Sequence, residues 1–125
     1  MYKSTDMKLV YPAYSKLNFY FRQHISKFVL EKGFVPLNPF MIFDYFLSDT
    51  VDRDLVRNAN NSMVKKADEL WVFGQVSDGV FAEIKLAKQY GKPIRYFDII
   101  KSKDIIEIAK DKVIFEDISA SVEEL

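Results

Sequence analysis

One glutamate stands where a sheet-based enzyme would hold a nucleophile. An apolar strand ending near Phe73 runs through the turn Ser77-Asp78-Gly79 into a helix that carries Glu83 in its first two turns. In an open parallel sheet, ligands bind at the carboxyl ends of the strands, beside the first turns of the following helices. A carboxylate there can attack an anomeric carbon and form a covalent glycosyl-enzyme intermediate. The alternative for Glu83 is a solvated helix residue that pairs with Lys88 or caps the helix.

The turn before this helix offers groups that can hold an anion or a sugar. Gly79 allows a ligand to approach the backbone closely, and the free N–H groups of a helix start attract phosphate. Taken alone, without a glycine-rich fingerprint, the turn favours an ordinary helix cap, in which the side chain of Ser77 or Asp78 accepts a hydrogen bond from a backbone N–H. Both interpretations place Ser77, Asp78 and Gly79 at the mouth of the predicted sheet.

Two other segments bring aromatic and polar groups towards the same edge of the predicted sheet, where the strands end. The first predicted strand ends in Tyr11-Pro12-Ala13-Tyr14-Ser15. Tyr11 or Tyr14 could stack on a base, and Ser15 could bond a sugar hydroxyl or phosphate. The alternative here is a core tyrosine followed by a helix cap. Asn60 lies on the predicted helix before the third strand, where an amide either reads a base edge or faces solvent.

The composition excludes several kinds of chemistry. The 125 residues contain no cysteine, so thiolate catalysis is excluded. The single histidine, His24, cannot by itself supply a His-rich metal site or a complete Ser-His-Asp triad. We therefore expect no metal or redox cofactor. Lys+Arg and Asp+Glu are balanced at 18 each, which argues against a nucleic-acid polymer as a partner.

The apolar residues bear on location and assembly. No apolar run approaches the length of a membrane span, so we expect a cytoplasmic protein without a membrane partner, folded as one domain over residues 1–125. Aromatic residues make up 15% of the chain, and this excess predicts a ligand pocket or a partner surface. The aromatic stretch from Phe40 to Phe46 is typical of a lid or of a homodimer interface.

Alternating strand and helix patterns predict the scaffold. Strands are expected over 8–13, 34–37, 69–74, 93–98 and 113–115. Helices are expected over 15–32 with Ser15 as its cap, over 49–66 with Asp49 or Thr50 as its cap, over 79–90, and over 103–110. The terminal residues 119–125 are expected to fray. This alternation indicates an α/β three-layer sandwich with a five-stranded, mainly parallel sheet of flavodoxin-like, Rossmann-like order.

The residues around Glu83 carry a family resemblance. The motif Ser77-x-Gly79-x-x-x-Glu83 is preceded by the strand ADELWVF at 67–73 and followed by AKQYGKPI at 87–94. Together these segments resemble the nucleoside 2-deoxyribosyltransferase-like superfamily, which includes the 2′-deoxynucleoside 5′-monophosphate N-glycosidases. The resemblance implies a flavodoxin-like fold, a homodimer or higher oligomer, a small nucleoside or nucleotide as substrate, and Glu83 as the nucleophile.

Two departures within the resemblance bear on the reaction. The position six before the glutamate is commonly aspartate in the transferases and serine in the monophosphate glycosidases, so Ser77 favours a phosphate-bearing ligand. The position seven before the ADELWVF strand is usually an aspartate that faces the base, but here it is Asn60. An amide cannot donate a proton as a carboxylic acid does, so the function stays open between N-glycosidic bond cleavage or transfer and a non-catalytic nucleotide-binding or sensing module on the same fold. A third possibility is an interaction protein whose aromatic stretch is the active surface.

Overall fold

The computed structural model describes residues 6–43, 45–101, 104–116, 118 and 120–125. The strands are β1 (Leu9–Tyr14), β2 (Val35–Pro36), β3 (Glu69–Phe73), β4 (Ile94–Ile100) and β5 (Asp104–Ile108). The α-helices are α1 (Arg22–Glu31), α2 (Pro39–Ile42), α3 (Tyr45–Thr50), α4 (Arg53–Lys66) and α5 (Asp78–Gln89), with short 3₁₀ segments at Lys16–Phe21, Lys110–Lys112 and Val122–Glu124. Across these ranges no helix is both long and apolar enough to cross a membrane.

The sheet has the order β2-β1-β3-β4-β5. Neighbouring strands from β2 to β4 are parallel, and β5 pairs antiparallel with β4. This confirms the predicted five-stranded, mainly parallel α/β fold. Because β1 and β3 are adjacent while the chain leaves them for opposite edges of the sheet, the junction between them is the topological switch point at which such sheets bind ligands.

Two cores, one on each face of the sheet, make the fold a three-layer sandwich. On one face, α4 and α5 pack on the sheet through residues such as Val64 and Ile84. On the other face, α1 covers an aromatic cluster, in which Phe73 stacks on Phe97 with ring centroids 5.0 Å apart. Part of the aromatic excess that predicted a pocket or partner surface is therefore internal, although Tyr20 is 84% exposed.

The helix predicted over 103–110 is wrong. Residues Asp104–Ile108 form β5, which is rich in isoleucine, a β-branched residue that favours strands. Arg95 on β4 fixes the pairing, because its guanidinium holds both carboxylate oxygens of Glu107 at 2.7 and 2.9 Å. The strand predicted over 113–115 is also wrong: it is reduced to a single parallel bridge between Phe115 and Val76.

The predicted helix caps have mixed outcomes. Ser15 is confirmed as a cap, since its Oγ accepts a hydrogen bond from the N–H of Leu17 at 3.2 Å, although the first turns after it are 3₁₀ rather than α. The caps predicted at Asp49 or Thr50 are wrong because both residues belong to α3. Asp52 caps α4 instead, and its Oδ1 accepts from the N–H of Asp54 at 2.8 Å.

The described part of the tail is not frayed as predicted. Leu125 is only 5% exposed and packs into the core beside α5, which orders the 3₁₀ segment before it. The predicted lid or interface spans α2 and the start of α3. Residue 44 and the side chains of residues 45 and 46 lie outside the described part, while Phe40 packs on the Tyr14 ring at 5.0 Å.

Candidate functional site

A buried tyrosine and the predicted nucleophile meet between the sheet and α5. Tyr11 is fully buried in the middle of β1, and its side chain faces the α4 and α5 layer. Its hydroxyl donates a short hydrogen bond to Oε2 of Glu83, which lies in the second turn of α5. The fold thus joins two residues that are 72 positions apart in the chain. Glu83 is half-buried rather than solvated, and no ion pair to Lys88 forms among the described residues.

The surroundings of Glu83 change its acidity. Burial raises the pKa of Glu83 to about 7, and the hydrogen bond from Tyr11 acts in the opposite direction. Burial and the neighbouring charge of Glu83 raise the pKa of Tyr11 well above its ordinary value. Tyr11 is therefore a permanent hydrogen-bond donor, whereas Glu83 gains and loses its proton near neutral pH. Carboxyl groups with such pKa values are characteristic of catalytic sites.

Asn60 faces the same layer as the pair. It lies one helical turn before Val64, whose side chain is buried against the sheet, so the two share a face of α4. The Oδ1 atom of Asn60 is buried and has no hydrogen-bond partner within the described residues. Buried acceptors in folded proteins are normally paired. Asn60 thus offers an unused acceptor in the layer that contains Glu83.

The turn that opens α5 is partly occupied and partly open. Ser77 is the helix cap, and its Oγ accepts from the N–H of Val80 at 3.3 Å. Asp78 and Gly79 are exposed in the first turn. A Cβ atom placed on Gly79 would meet nothing within 4 Å, so the packing of the chain does not require glycine here. The backbone of the first turn is accessible to a ligand.

Tyr14 and Ser15 are not brought to Glu83. Because side chains alternate along a strand, Tyr14 points into the aromatic layer on the other face, where its hydroxyl donates to Oδ1 of Asn38 at 2.8 Å. Burial raises the pKa of Tyr14 well above its ordinary value. Ser15 is buried and caps the following 3₁₀ segment. No hydrogen bond joins either residue to Glu83 in the described part of the chain.

The structure adds residues that the sequence did not single out at the switch point. Nδ2 of Asn18, after β1, donates to Oε1 of Gln75, after β3, at 3.2 Å. Gly74 lies between them with φ +76°, and a Cβ there would lie 2.5 Å from the Asn18 amide nitrogen. The one available signal was a glycine placed directly after an apolar strand. The side-chain amides of Asn18 and Gln75 could not be recognised from the sequence as a pair, because they meet only when β1 and β3 are neighbours in the sheet.

The described residues contain no group of three or more His, Cys, Asp or Glu side chains that could hold a metal ion. The chemistry available around Glu83 is that of two carboxyl groups (Glu83 and Asp78), one phenol, amides, a hydroxyl and backbone N–H groups. This set can form a covalent bond to carbon and can orient a polar substrate.

A family model described as "Domain of unknown function (DUF7768)" matches residues 10–97. The chain belongs to this family. The DUF7768 match contains every residue predicted for the site, whereas β5 and the tail lie beyond it. A search of curated proteins gives no match.

A structural relative supports the fold. A solved structure described as a 2-desoxiribosyltransferase from Leishmania mexicana superposes with a TM-score of 0.57 and 15% sequence identity, over 91% of this DUF7768 chain and 88% of that chain. At this identity the likeness establishes a shared fold. It agrees with the flavodoxin-like arrangement that the family resemblance implied.

Proposed function

We propose that this chain cleaves the N-glycosidic bond of a (deoxy)nucleoside or its 5′-monophosphate, with Glu83 as the nucleophile. The observation that carries the proposal is the contact between Tyr11 and Glu83, which holds a carboxyl group with a pKa of about 7 between the sheet and α5. A rigid, partly desolvated carboxylate is the group that covalent glycosyl transfer requires. The likeness in fold to a protein named as a 2-desoxiribosyltransferase supports the same reaction class.

The proposed reaction has two displacements. The Glu83 carboxylate attacks the anomeric carbon, the bond from that carbon to the base nitrogen breaks, and the base departs with the bonding electron pair. The base takes up a proton from the solvent, and the attacking water or second base returns one to the solvent in the next displacement. The hydroxyl of Tyr11 keeps the carboxylate in position throughout. Water or a second base then attacks the anomeric carbon and releases Glu83. Water makes the protein a hydrolase and a second base makes it a transferase.

Substrate binding is assigned to groups around the pair. Oδ1 of Asn60 accepts a hydrogen bond from the base, and the exposed N–H groups at Gly79 approach the sugar or phosphate. The Ser77 hydroxyl can donate to phosphate while its oxygen caps α5. The carboxylate of Asp78 accepts hydrogen bonds from sugar hydroxyls but repels a phosphate. Ser77 therefore favours a phosphorylated substrate, whereas Asp78 favours an unphosphorylated one.

Tyr14 and Ser15 enter the proposal as residues that shape the crevice from its other side. We also propose a homodimer or higher oligomer and a cytoplasmic location. Light scattering should return at least twice the chain mass of 14.6 kDa, and a monomer at micromolar concentration would contradict the oligomer.

Base release tests the enzyme. The protein is incubated with deoxynucleosides and their 5′-monophosphates, with and without a free acceptor base, and the products are separated by chromatography. We expect release of free base that disappears, by at least about 10³-fold, in Glu83→Ala, because removal of a nucleophile abolishes the covalent route. Accumulation of a new nucleoside in the presence of acceptor base identifies transfer.

Matched variants separate a chemical role from a structural one. Glu31→Gln removes an exposed carboxylate at the end of α1 and should leave turnover unchanged. Gly79→Ala should raise the free energy of unfolding by about 0.5–1 kcal/mol, because alanine is the better helix former. The same variant should weaken substrate binding, since a methyl group would fill the open space above the first turn. Turnover that survives Glu83→Ala contradicts the proposal.

The second candidate is a nucleotide-binding module without turnover. It is favoured by Asn60, whose amide provides an acceptor but no acid to protonate the departing base. In that case nucleotides raise the melting temperature of the wild-type protein while chromatography shows no free base. Asn60→Asp then distinguishes the candidates, because an added acid accelerates base release only if Glu83 already supports the reaction.

A further inference from the structure

A cavity, called here the Glu116 cavity, opens at the carboxyl ends of β3 and β4. It encloses about 240 Å³, and neither Tyr11 nor Glu83 lines it. Its walls combine apolar side chains with two carboxyl groups and include Gln75, Asp98, Ile108, Lys112, Phe115 and Glu116. It therefore differs in chemistry from the proposed active site.

Glu116 is held rigidly on the wall of this cavity. Its backbone N–H donates to the carbonyl of Val76 at 2.8 Å, and the N–H of Val76 donates to the carbonyl of Ile114 at 2.8 Å. These two bonds fix residues 114–116 to Val76, which precedes the Ser77 cap of α5. Oε2 of Glu116 is buried and has no hydrogen-bond partner among the described residues. An unpaired buried acceptor is unfavourable, and more so if it is charged.

The neighbouring side chains do not supply the missing donor. Asp98 is itself an acceptor, and its Oδ1 is bonded by the N–H of Ile99 at 2.9 Å. Lys112 is exposed and forms no ion pair with Glu116 in the part of the chain that is described. Oε2 of Glu116 therefore lacks a donor within the described residues, and a ligand in the cavity that Glu116 lines can supply one.

We propose that this cavity binds a small planar ligand with two adjacent N–H donors, the edge shared by guanidinium groups and guanine-type bases. A carboxylate accepts two parallel hydrogen bonds from such an edge, and Ile108 and Phe115 provide apolar walls for a flat ring. The volume lies below the roughly 300–1,000 Å³ of pockets for drug-sized molecules, which suits a ligand of one or two rings. The site does not depend on the proposed reaction at Glu83.

Isothermal titration of the full chain tests this site with three probes: guanosine, inosine and millimolar guanidinium chloride. Inosine lacks the exocyclic amine of guanosine and so presents one donor in place of two. We expect guanosine to bind at least about tenfold more tightly than inosine, because one hydrogen bond to a charged acceptor is lost. Glu116→Gln should weaken guanosine binding by at least about tenfold, since its amide offers a single acceptor. Asp111→Asn, an equal charge change in the nearby exposed 3₁₀ segment, should leave binding unchanged.

Further variants distinguish this site from the proposed active site. Guanosine should bind Glu83→Ala as it binds the wild type. Ile114→Arg alters a wall residue that is 70% exposed, should fold normally, and should block the cavity even if Glu116→Gln does not fold. If guanidinium binds and guanosine does not, the ligand is an alkylguanidine rather than a guanine-type base. This outcome still supports a site for two adjacent N–H donors. Equal affinity for guanosine and inosine, binding lost in Glu83→Ala but kept in Glu116→Gln, or no binding of any probe overturns the proposal.

Discussion

At the scale of single residues, the two buried tyrosines of β1 have different environments although they are three positions apart. Tyr11 donates to Glu83 in the helical layer of α5, whereas Tyr14 donates to Asn38 in the aromatic layer. The sequence analysis placed both tyrosines at the same ligand site, but the alternation of side chains along a strand puts them on opposite faces of the sheet. The sequence could not show which tyrosine meets Glu83, because that depends on the register of β1 against α5.

This difference predicts the pH dependence of turnover. The reacting form of Glu83 is the carboxylate, so kcat/KM should rise with pH and level off above its pKa of about 7. Tyr11→Phe removes a hydrogen bond that lowers the pKa of Glu83, so the rise should move to higher pH. Tyr14→Phe is the matched control: it loses about 1 kcal/mol of stability with its bond to Asn38 but should leave the pH profile in place. A profile that Tyr11→Phe does not move contradicts the role of Tyr11.

Glu83 also predicts how stability depends on pH. Its pKa is raised from 4.5 to about 7 by folding, so the folded chain keeps a proton that the unfolded chain has lost. The contribution of Glu83 to the free energy of unfolding is therefore largest below pH 4.5 and declines as the pH rises to about 7. The decline is on the order of 3 kcal/mol. Glu83→Gln removes this pH dependence. In urea unfolding, the free energy of unfolding of the variant should therefore rise relative to that of the wild type between these pH values. A constant difference between the two proteins would contradict the titration of Glu83 in this range.

At the scale of elements, the sequence predicted the parallel core well and its edges poorly. The apolar runs of β1, β3 and β4 and the helix α5 have strong local patterns, and each was found within a few residues. The helix predicted over 103–110 failed because its isoleucines fit a helical face as well as a strand. The strand is decided by the Arg95–Glu107 pair and the antiparallel partner, which are long-range features that no local window contains.

The junction after β3 provides a prediction at this scale. Gly74 has φ +76°, and an added Cβ would lie 2.5 Å from Nδ2 of Asn18. Gly74→Ala therefore combines backbone strain of about 1–3 kcal/mol with a steric clash. Gly91→Ala is the matched control, since Gly91 has φ +67° and nothing within 4 Å, and it should lose only the strain component. Chemical denaturation measures both, and equal losses would show that the Asn18 side chain yields freely.

At the scale of the whole molecule, the chain beyond β4 contributes to the core and to the cavity that Glu116 lines. β5 covers one edge of the sheet, the bridge from Phe115 to Val76 fixes the start of α5, and Leu125 fills the layer of α4 and α5. Composition and periodicity could not predict this, because an acidic tail with few apolar residues normally frays. Leu125 contributes to the core because the chain returns to the sheet at this point and buries its side chain.

Leu125→Ala tests whether the tail contributes to global stability. Its side chain is 5% exposed, so truncation should lower the free energy of unfolding by about 2–5 kcal/mol, the range for buried leucines. For a chain of this size that loss lowers the melting temperature by roughly 4 °C or more per kcal/mol. Leu55→Ala is the matched control because Leu55 is 61% exposed on α4, and its melting temperature should stay within about a degree or two of the wild type. If the two variants melt at the same temperature, the tail is not part of the cooperative core.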